Sequence, residues 1–249
     1  MATSIINSPI RDMWPDGGSP ISLSTTPSYL WRDTDAHEVE FYCDVDFRIN
    51  LAPRIKHLMF YDATDGSFTD GADEAQDGDT STALTLNSMQ TDDYIYVMTE
   101  DPIVGLYLDL GDKNDNASVL TINYWKDAAT DAWADTTNTD GTDVGGDTFK
   151  QDGLNYWTQP SDEITKPDLD GSRLPEGYWY QLSIGAALDS SCTILQAMAL
   201  SRRSSSQRPT VVMKGNTIHA FSMNREQIAG FQIDVASGVG TLNVNWIRH

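Results

Sequence analysis

The stretch DDYIYVMTEDPIVGLYLDLGDKNDNASVLTINYWKD, residues 92–127, decides the fold class of this chain. It contains three apolar runs separated by loops of Asp, Asn, Gly, Ser and Thr. Within each run apolar side chains recur at every second position: Ile95 and Val97; Leu106, Leu108 and Leu110; Leu120, Ile122 and Tyr124. A period of two is typical of a strand with one face in a core and the other in water. Strands at such short intervals predict an all-β fold.

The rest of the chain continues this pattern, and no segment combines a helical period with helix caps. We therefore predict an antiparallel β-sandwich, jelly-roll-like, with three parts. Residues 1–36 are expected to form an extended N-terminal arm, since four prolines interrupt them. Residues 37–200 are expected to form the main sandwich. Residues 201–249 begin with SRRSSSQRP and are predicted to form C-terminal β-hairpins, the first turning at Gly215 and Asn216.

The composition excludes some classes of partner. The chain has 37 acidic and 16 basic residues, a net charge of −21, and a pI near 4.2. Such a surface repels phosphate backbones and anionic lipids, so neither nucleic acid nor a membrane is an expected partner. The start, MATSIINSPIRDMW, does not resemble a signal peptide, which predicts a soluble protein made in the cytoplasm. Cys43 and Cys192 lie in apolar runs, and the sequence leaves open whether they pair.

Catalytic motifs are missing from the sequence. It contains no G-x-S-x-G, no G-x-G-x-x-G and no P-loop, and its four histidines are far apart along the chain. Paired carboxylates carry little information in so acidic a chain, because only their separation and pKa values identify a hydrolase. We therefore expect a protein that is not an enzyme, with a hydrolase on a β scaffold as the least favoured hypothesis.

Two acidic loops are the candidates for a metal site. One holds Asp109, Asp112, Asn114 and Asp115, and the other runs from Asp70 to Asp79. Calcium binds six to eight oxygens from carboxylates, amides and carbonyls, which such loops contain. Neither loop has EF-hand spacing, so solvated turns are the favoured interpretation and no cofactor is expected.

Aromatic residues are the candidates for an interface. Trp14, Tyr29 and Trp31 lie in the proline-rich segment. Adjacent pairs such as Tyr124–Trp125, Tyr156–Trp157 and Tyr178–Trp179 point to opposite faces of a strand, so one of each pair is expected to leave the core. The predicted interface residues are Trp14, Tyr29, Trp31, Trp125, Trp157 and Trp179. The alternative is that exposed rings, Trp133 included, stack on sugars as in lectin-like sandwiches.

The stretch from Tyr94 to Leu200 resembles a β-sandwich module of structural proteins of tailed bacteriophages. The matching pattern is DYIYV, GLYLDL, NASVLTINYWKD, W-x-D-TTNTDGT, GGDTFKQDGLNYWTQPSD and YWYQLSIGAAL, somewhat under half of the chain. Its recognisable positions are Trp125, Trp133, Asp140, Gly141, Thr142, Phe149, Trp157, Pro160, Tyr178 and Trp179. The chain departs from the pattern at Glu163, where a tryptophan follows the Ser-Asp pair in the module.

The resemblance implies a virion protein that binds other proteins. The expected role is capsid decoration, in which the chain binds the major capsid protein and self-associates, with a homotrimer as the predicted state. Location in the tail instead of the head remains open, as does a carbohydrate-binding module that recognises host-surface glycan.

Overall fold

The computed structural model describes residues 20–32, 36–86, 88–127, 132–169, 174–201, 209–222 and 228–248. The chain divides into two compact units. The outer unit contains Met1–Asn50 and Arg208–His249, and the inserted unit contains Leu51–Gln207. All four sheets are antiparallel, which confirms the predicted all-β class.

The described part of the chain forms strands and one short helical segment. The first strands are β1 (Ile21–Leu23), β2 (Ser28–Trp31), β3 (Glu38–Cys43), β4 (Phe47–Pro53), β5 (His57–Asp62) and β6 (Ser67–Asp70), followed by α1 (Glu74–Asp77). The next are β7 (Leu84–Thr85), β8 (Tyr94–Thr99), β9 (Ile103–Leu110), β10 (Leu120–Asp127), β11 (Ala132–Asp135) and β12 (Gly153–Tyr156). The last are β13 (Tyr178–Ile184), β14 (Thr193–Ser201), β15 (Val211–Met213), β16 (Ile218–Ser222), β17 (Ile228–Val235) and β18 (Gly240–Ile247).

In its described residues, the outer unit is an eight-stranded sandwich that contains strands from both ends of the chain. Its sheets have the strand orders β1-β18-β3-β16 and β2-β17-β4-β15. Counted along the unit, these are strands one, eight, three and six in one sheet, and two, seven, four and five in the other. This is the strand order of a jelly roll.

The inserted unit repeats the same order. Strands β7 to β14 form the sheets β7-β14-β9-β12 and β8-β13-β10-β11, and a hairpin of β5 and β6 extends the second sheet beside β8. The chain enters this unit after the fourth strand of the outer jelly roll and returns before the fifth. One jelly roll is therefore inserted into a connection of another.

Each unit has its own hydrophobic core between its two sheets. In the outer unit Phe41 and Phe231 pack edge to face with ring centroids 4.9 Å apart. In the inserted unit the alternating residues that the sequence identified are buried, including Ile95, Leu108 and Ile122. Burying a side chain of this size stabilises a fold by roughly 1.5–3 kcal/mol. The apolar residues at every second position of the strands supply both cores.

The N-terminal residues differ from the predicted extended arm. β1 pairs with β18 and β2 pairs with β17, so residues 20–31 belong to the outer jelly roll. Pro20 and Pro27 stand just before these edge strands, where a missing N–H removes no ladder bond. Residues 37–50, which we assigned to the main sandwich, also belong to the outer unit. Residues 1–19, with Trp14, lie outside the described residues.

The C-terminal strands pair differently from the predicted hairpins. β15 pairs with β4 and β16 pairs with β3, so the two strands lie in different sheets. Strands β17 and β18 are likewise in different sheets. The turn at Gly215 and Asn216 exists, with Asn216 at φ 57°, but it crosses from one sheet to the other. Sequence alternation predicts each strand, but not its partner.

Two glycines in the DGT and QDG sequences are required by close backbone approach. Neither Gly141 nor Gly153 has positive φ. Instead, a Cβ on Gly153 would overlap the carbonyl oxygen of Gly141, and one on Gly141 would overlap the carbonyl oxygen of Leu154. Asp140 caps the turn, since its Oδ1 accepts from the Thr142 amide at 2.8 Å.

Candidate interaction surfaces

Charge is divided unequally between the two units. The inserted unit has 27 acidic and 9 basic residues, a net charge of −18, whereas the outer unit has 10 acidic and 7 basic residues, a net charge of −3. Like charges on the inserted unit repel one another and favour a solvated surface. The outer unit is therefore repelled less strongly than the inserted unit when it contacts another acidic protein.

Two of the predicted interface aromatics lie at an edge of the outer unit. β2 is the end strand of its sheet, and its Leu30 packs against the core. Tyr29 and Trp31 alternate with Leu30 and therefore point to the opposite face of the sheet, where both are half-buried. Gln232 Nε2 donates to the Tyr29 hydroxyl at 3.5 Å. Both large rings belong to β2, which among the described residues pairs with β17 alone.

The other three predicted interface tryptophans are buried, which corrects that prediction. Trp125, Trp157 and Trp179 are 2%, 5% and 1% exposed. Trp157 lies in the core, with its ring centroid 5.4 Å from that of Tyr180. Trp125 lies on the opposite sheet face but is covered by Lys166, whose Nζ is 3.7 Å from the ring centroid.

The outer face of the six-stranded sheet carries a second apolar layer. Trp179, Tyr96 and Leu169 are buried in it. Alternation thus predicts correctly that Tyr124 and Trp125 point to opposite faces. Alternation does not show that segments after β12 cover the second face, because this coverage depends on tertiary packing.

Three rings at the rim of this layer were missed by the sequence analysis. Tyr61, Phe68 and Tyr94 are half-buried, and the Tyr61 centroid lies 4.8 Å from Phe68 and 6.4 Å from Tyr94. They come from three different strands, β5, β6 and β8. The only sequence signal was the short hairpin FYDATDGSF, in which an aromatic stands on either side of a turn.

Asn114, one of the calcium candidates, connects three loop segments through its side-chain hydrogen bonds. Its buried Nδ2 donates to the carbonyl oxygens of Asn116 at 2.7 Å and Thr148 at 3.0 Å. Its Oδ1 accepts from the amides of Asn116 at 3.0 Å and Asp189 at 3.1 Å. Asp189 in turn accepts from Asp115, and its carbonyl accepts from the Ser88 amide. The Asn114 amide thus uses all of its hydrogen-bonding capacity on its own chain.

Replacing Asn114 with alanine is expected to lower the stability of the inserted unit by about 3 kcal/mol, since buried backbone groups in the connected loops lose their partners. Urea denaturation followed by tryptophan fluorescence measures this loss. The matched control is Lys150→Ala, which removes the exposed Lys150–Asp115 ion pair of the same loops and should leave the midpoint unchanged. Equal midpoints for the Asn114 variant and the control would contradict this role of Asn114.

Asp109 and Asp115, two further calcium candidates, lie beside different residues. Asp109 lies near Asp152, which binds Lys113 at 3.2 Å. Burial raises the pKa of Asp109, the charge of Asp152 adds to this increase, and Lys113 opposes it. Asp115 pairs with Lys150 at 2.7 Å. Within the described residues, no three His, Cys, Asp or Glu side chains come together as a metal-ligand set.

The second acidic loop borders a groove. The groove has a volume of about 460 Å³, with Phe60 and Leu84 among its apolar lining. Five carboxylates line it: Asp62, Asp65, Asp70, Glu74 and Asp93. Several of these loop carboxylates already have partners on the chain, such as His57 for Asp70 at 3.0 Å. Hydrogen bonds from Ser81 lower the pKa of Asp79 in the same loop. The groove favours a positively charged occupant over an anion.

Glu163, the departure from the phage-module pattern, has a structural partner. It accepts a hydrogen bond from the Tyr180 hydroxyl, and Asp162 accepts one from the Tyr124 hydroxyl at 2.7 Å. Burial raises the pKa of Tyr124 to about 12, and the bond to Asp162 adds to the increase. Both tyrosines therefore stay protonated at neutral pH and attach the loop after β12 to the sandwich.

Among the residues that the structure describes, the histidines and cysteines form no disulfide and no set of metal ligands. His57 belongs to the inserted unit, whereas His219 belongs to the outer unit and contacts the Lys214 carbonyl oxygen at 2.9 Å. Cys43 and Cys192 are both free and buried, one in each unit. Burial raises the pKa of the Cys192 thiol to about 12, so it stays protonated.

Similarity to known proteins does not identify a family for this chain. No known family model matches the chain, and no curated protein matches it either. Among the described residues, no helix is long and apolar enough to span a membrane.

Proposed function

We propose that this chain is a non-enzymatic structural protein of a tailed-phage virion, and that it decorates the capsid by binding through its outer unit. The observation that carries the proposal is the unequal charge of the two jelly rolls, −18 against −3. A protein that coats a particle needs one surface that tolerates close contact and another that stays solvated. The outer unit has the low net charge that close contact requires, and the inserted unit has the high net charge that favours solvation.

The aromatic edge of the outer unit is the proposed contact with the capsid. Protein interfaces are enriched in tyrosine and tryptophan, and a few such anchors supply most of the binding free energy. Tyr29 and Trp31 are side chains of this kind, on an edge strand of the less charged unit. The like charges of the inserted unit would repel those of other copies and limit aggregation of coated particles.

The fold is compatible with this role and with other roles. Jelly rolls occur in viral capsid proteins and in lectins, and one fold hosts many functions. The resemblance of residues 94–200 to the phage module favours the virion over the other settings. No cofactor takes part in the proposed function, and the partners are the major capsid protein and further copies of the chain.

Replacing Tyr29 and Trp31 together with alanine is expected to weaken capsid binding at least tenfold, since losing an interface anchor typically costs more than about 1.4 kcal/mol. The measurement is co-sedimentation with particles assembled from the major capsid protein encoded in the same genome. The matched control is Val119→Ala, which trims a 62% exposed side chain of the inserted unit. Unchanged binding by the folded double variant would reject this contact, as would an equal loss in the control.

Two other roles remain as alternatives. A tail-associated protein would bind purified tails instead of capsids. A carbohydrate-binding module is favoured by one observation, the half-buried rings of Tyr61, Phe68 and Tyr94 on a jelly roll. Such a module would bind host-surface polysaccharide in the absence of any particle, and this binding would be lost in Tyr94→Ala.

A further inference from the structure

The side chain of Asn155 is completely buried in the inserted unit, although it is polar. It lies on β12, and within the described part of the chain neither its Nδ2 nor its Oδ1 has a hydrogen-bond partner. Two positions further on, Trp157 is 5% exposed, and the same holds for its Nε1. The Trp157 amide donates to the Val104 carbonyl oxygen at 2.9 Å and so continues the pairing of β12 with β9. Because alternate residues of a strand point to the same face and Trp157 lies in the core, both side chains point into the unit.

A third side chain reaches the same interior from the segment beside β12. Thr139 and Tyr156 exchange both of their backbone hydrogen bonds, at 2.8 and 3.1 Å, so Asn138 stands opposite Trp157. Side chains that stand opposite each other lie on the same face. Asn138 Oδ1 accepts from the Ile122 amide of the facing sheet at 3.1 Å, whereas its Nδ2 is buried and has no partner among the described residues.

These polar groups need a ligand, because buried polar groups in native proteins are almost always hydrogen-bonded. The amide of asparagine has two N–H donors and an acceptor oxygen, and the indole of tryptophan has one N–H donor. Leaving such groups in an apolar interior without partners costs more free energy than the entropy that a bound water molecule loses. A ligand that fits must accept hydrogen bonds from Asn155 and Trp157 and donate one to Asn155 Oδ1.

We propose that Asn138, Asn155 and Trp157 form an internal binding site for ordered water. Water both donates and accepts hydrogen bonds, and a typical buried water molecule makes about three of them. A metal cation would meet the N–H groups of all three side chains, and an anion would leave Asn155 Oδ1 without a donor. The Trp157 ring centroid also lies 5.4 Å from that of Tyr180, whose hydroxyl donates to Glu163, so a carboxylate near the site disfavours an anion further.

The bound water would connect the two sheets of the inserted unit at the β12 edge. Asn155 and Trp157 come from β12 and from the residue directly after it, whereas Asn138 is bonded to β10 of the other sheet. The burial of Asn155 and Trp157 favours the smallest ligand, since neither side chain has appreciable exposed area. The inference concerns the inserted unit alone and is tested on purified protein without particles, so it can fail while the proposed function stands.

A crystal structure of the wild-type chain, at a resolution that shows ordered water, tests the site directly. We expect a water oxygen within hydrogen-bond distance of Trp157 Nε1 and of the Asn155 amide. The internal control is Asn114, which is equally buried but donates to the carbonyl oxygens of Asn116 and Thr148, and which should bind no water through its Nδ2. Direct bonds from Asn155 and Trp157 to protein atoms, a bound ion, or the absence of any density between them would overturn the proposal.

Magnetic relaxation dispersion of water deuterons gives a second readout, since it counts the long-lived internal water molecules of a protein in solution. Asn155→Leu keeps the approximate volume of the side chain but removes both polar groups, and we expect it to lower this count by at least one molecule. The matched control is Asn123→Leu, which makes the same change on the outward face of β10, where Asn123 Nδ2 donates to Gln181 Oε1 at 3.2 Å. The control should keep the wild-type count.

Circular dichroism verifies that both variants are folded before their water molecules are counted. An unchanged count in folded Asn155→Leu, or an equal loss in Asn123→Leu, would reject the site. If Asn155→Leu does not fold, the crystal structure of the wild-type chain decides the question by itself.

Discussion

Gly153→Ala is expected to destabilise the inserted unit by more than about 4 kcal/mol, the range reserved for severe packing faults. The backbone around Gly153 lies against the backbone around Gly141, and a Cβ there would overlap the Gly141 carbonyl oxygen. The obstructing atoms are backbone, so no side-chain rotation relieves the overlap. Separating the segments would disturb the adjacent bonds of Thr142, which accepts from the amides of Lys150 and Phe149.

The matched control for this prediction is Gly185→Ala in the same unit. A Cβ on Gly185 meets its nearest atoms at 3.7 Å, which is ordinary van der Waals contact, and the residue does not have positive φ. Thermal unfolding by circular dichroism should show the control close to wild type and the Gly153 variant unfolded or strongly destabilised. Similar melting of the two variants would show that the close approach is not required.

Asp234→Ala is expected to destabilise the outer unit by about 3–4 kcal/mol, because it leaves one partner of a buried ion pair alone. The Asp234 side chain is fully buried, and Arg48 binds both of its oxygens, from Nε at 2.7 Å and from Nη2 at 2.5 Å. This two-pronged bond joins neighbouring strands β4 and β17. Without Asp234, the largely buried guanidinium keeps its desolvation cost but loses its counter-charge.

An exposed ion pair of the same unit provides the control. Lys214 binds Asp46 at 2.8 Å, with side chains 75% and 52% exposed. Solvent screens such pairs, so Lys214→Ala should unfold at the same urea concentration as the wild type. A double variant Arg48→Met/Asp234→Leu should recover part of the stability lost in Asp234→Ala, since it removes both charges together. Equal effects of Asp234→Ala and Lys214→Ala would contradict this account.

The long strands of the inserted jelly roll could be predicted from the sequence because their apolar residues alternate. β8, β9 and β10 bury the alternating residues that the period of two identified. The outer jelly roll could not be predicted from the sequence, because its paired strands are far apart in the chain. For example, Cys43 pairs with Leu242, and Trp31 pairs with Gly230. Periodicity gives the face of a strand but contains no information on such distant partners.

The candidate surfaces could be predicted from the sequence only in part. Tyr29 and Trp31, two of the predicted interface residues, are half-buried on the end strand β2 of the outer unit. Trp125 and Trp179 were expected to leave the core, and they do, but a second layer covers them. Asn114 stood out as an oxygen donor for a metal, whereas its buried amide connects loops through hydrogen bonds. Composition identifies polar loops, but only packing shows what their side chains bind.

Titration of the purified chain onto empty capsids, assembled from the major capsid protein encoded in the same genome, tests the proposed capsid decoration most directly. We expect the chain to pellet with the capsids, to saturate at a fixed number of copies per capsid, and to raise the temperature at which they disassemble. A chain that stays in the supernatant at every ratio, while the same capsids and the folded protein are both intact, would contradict the account.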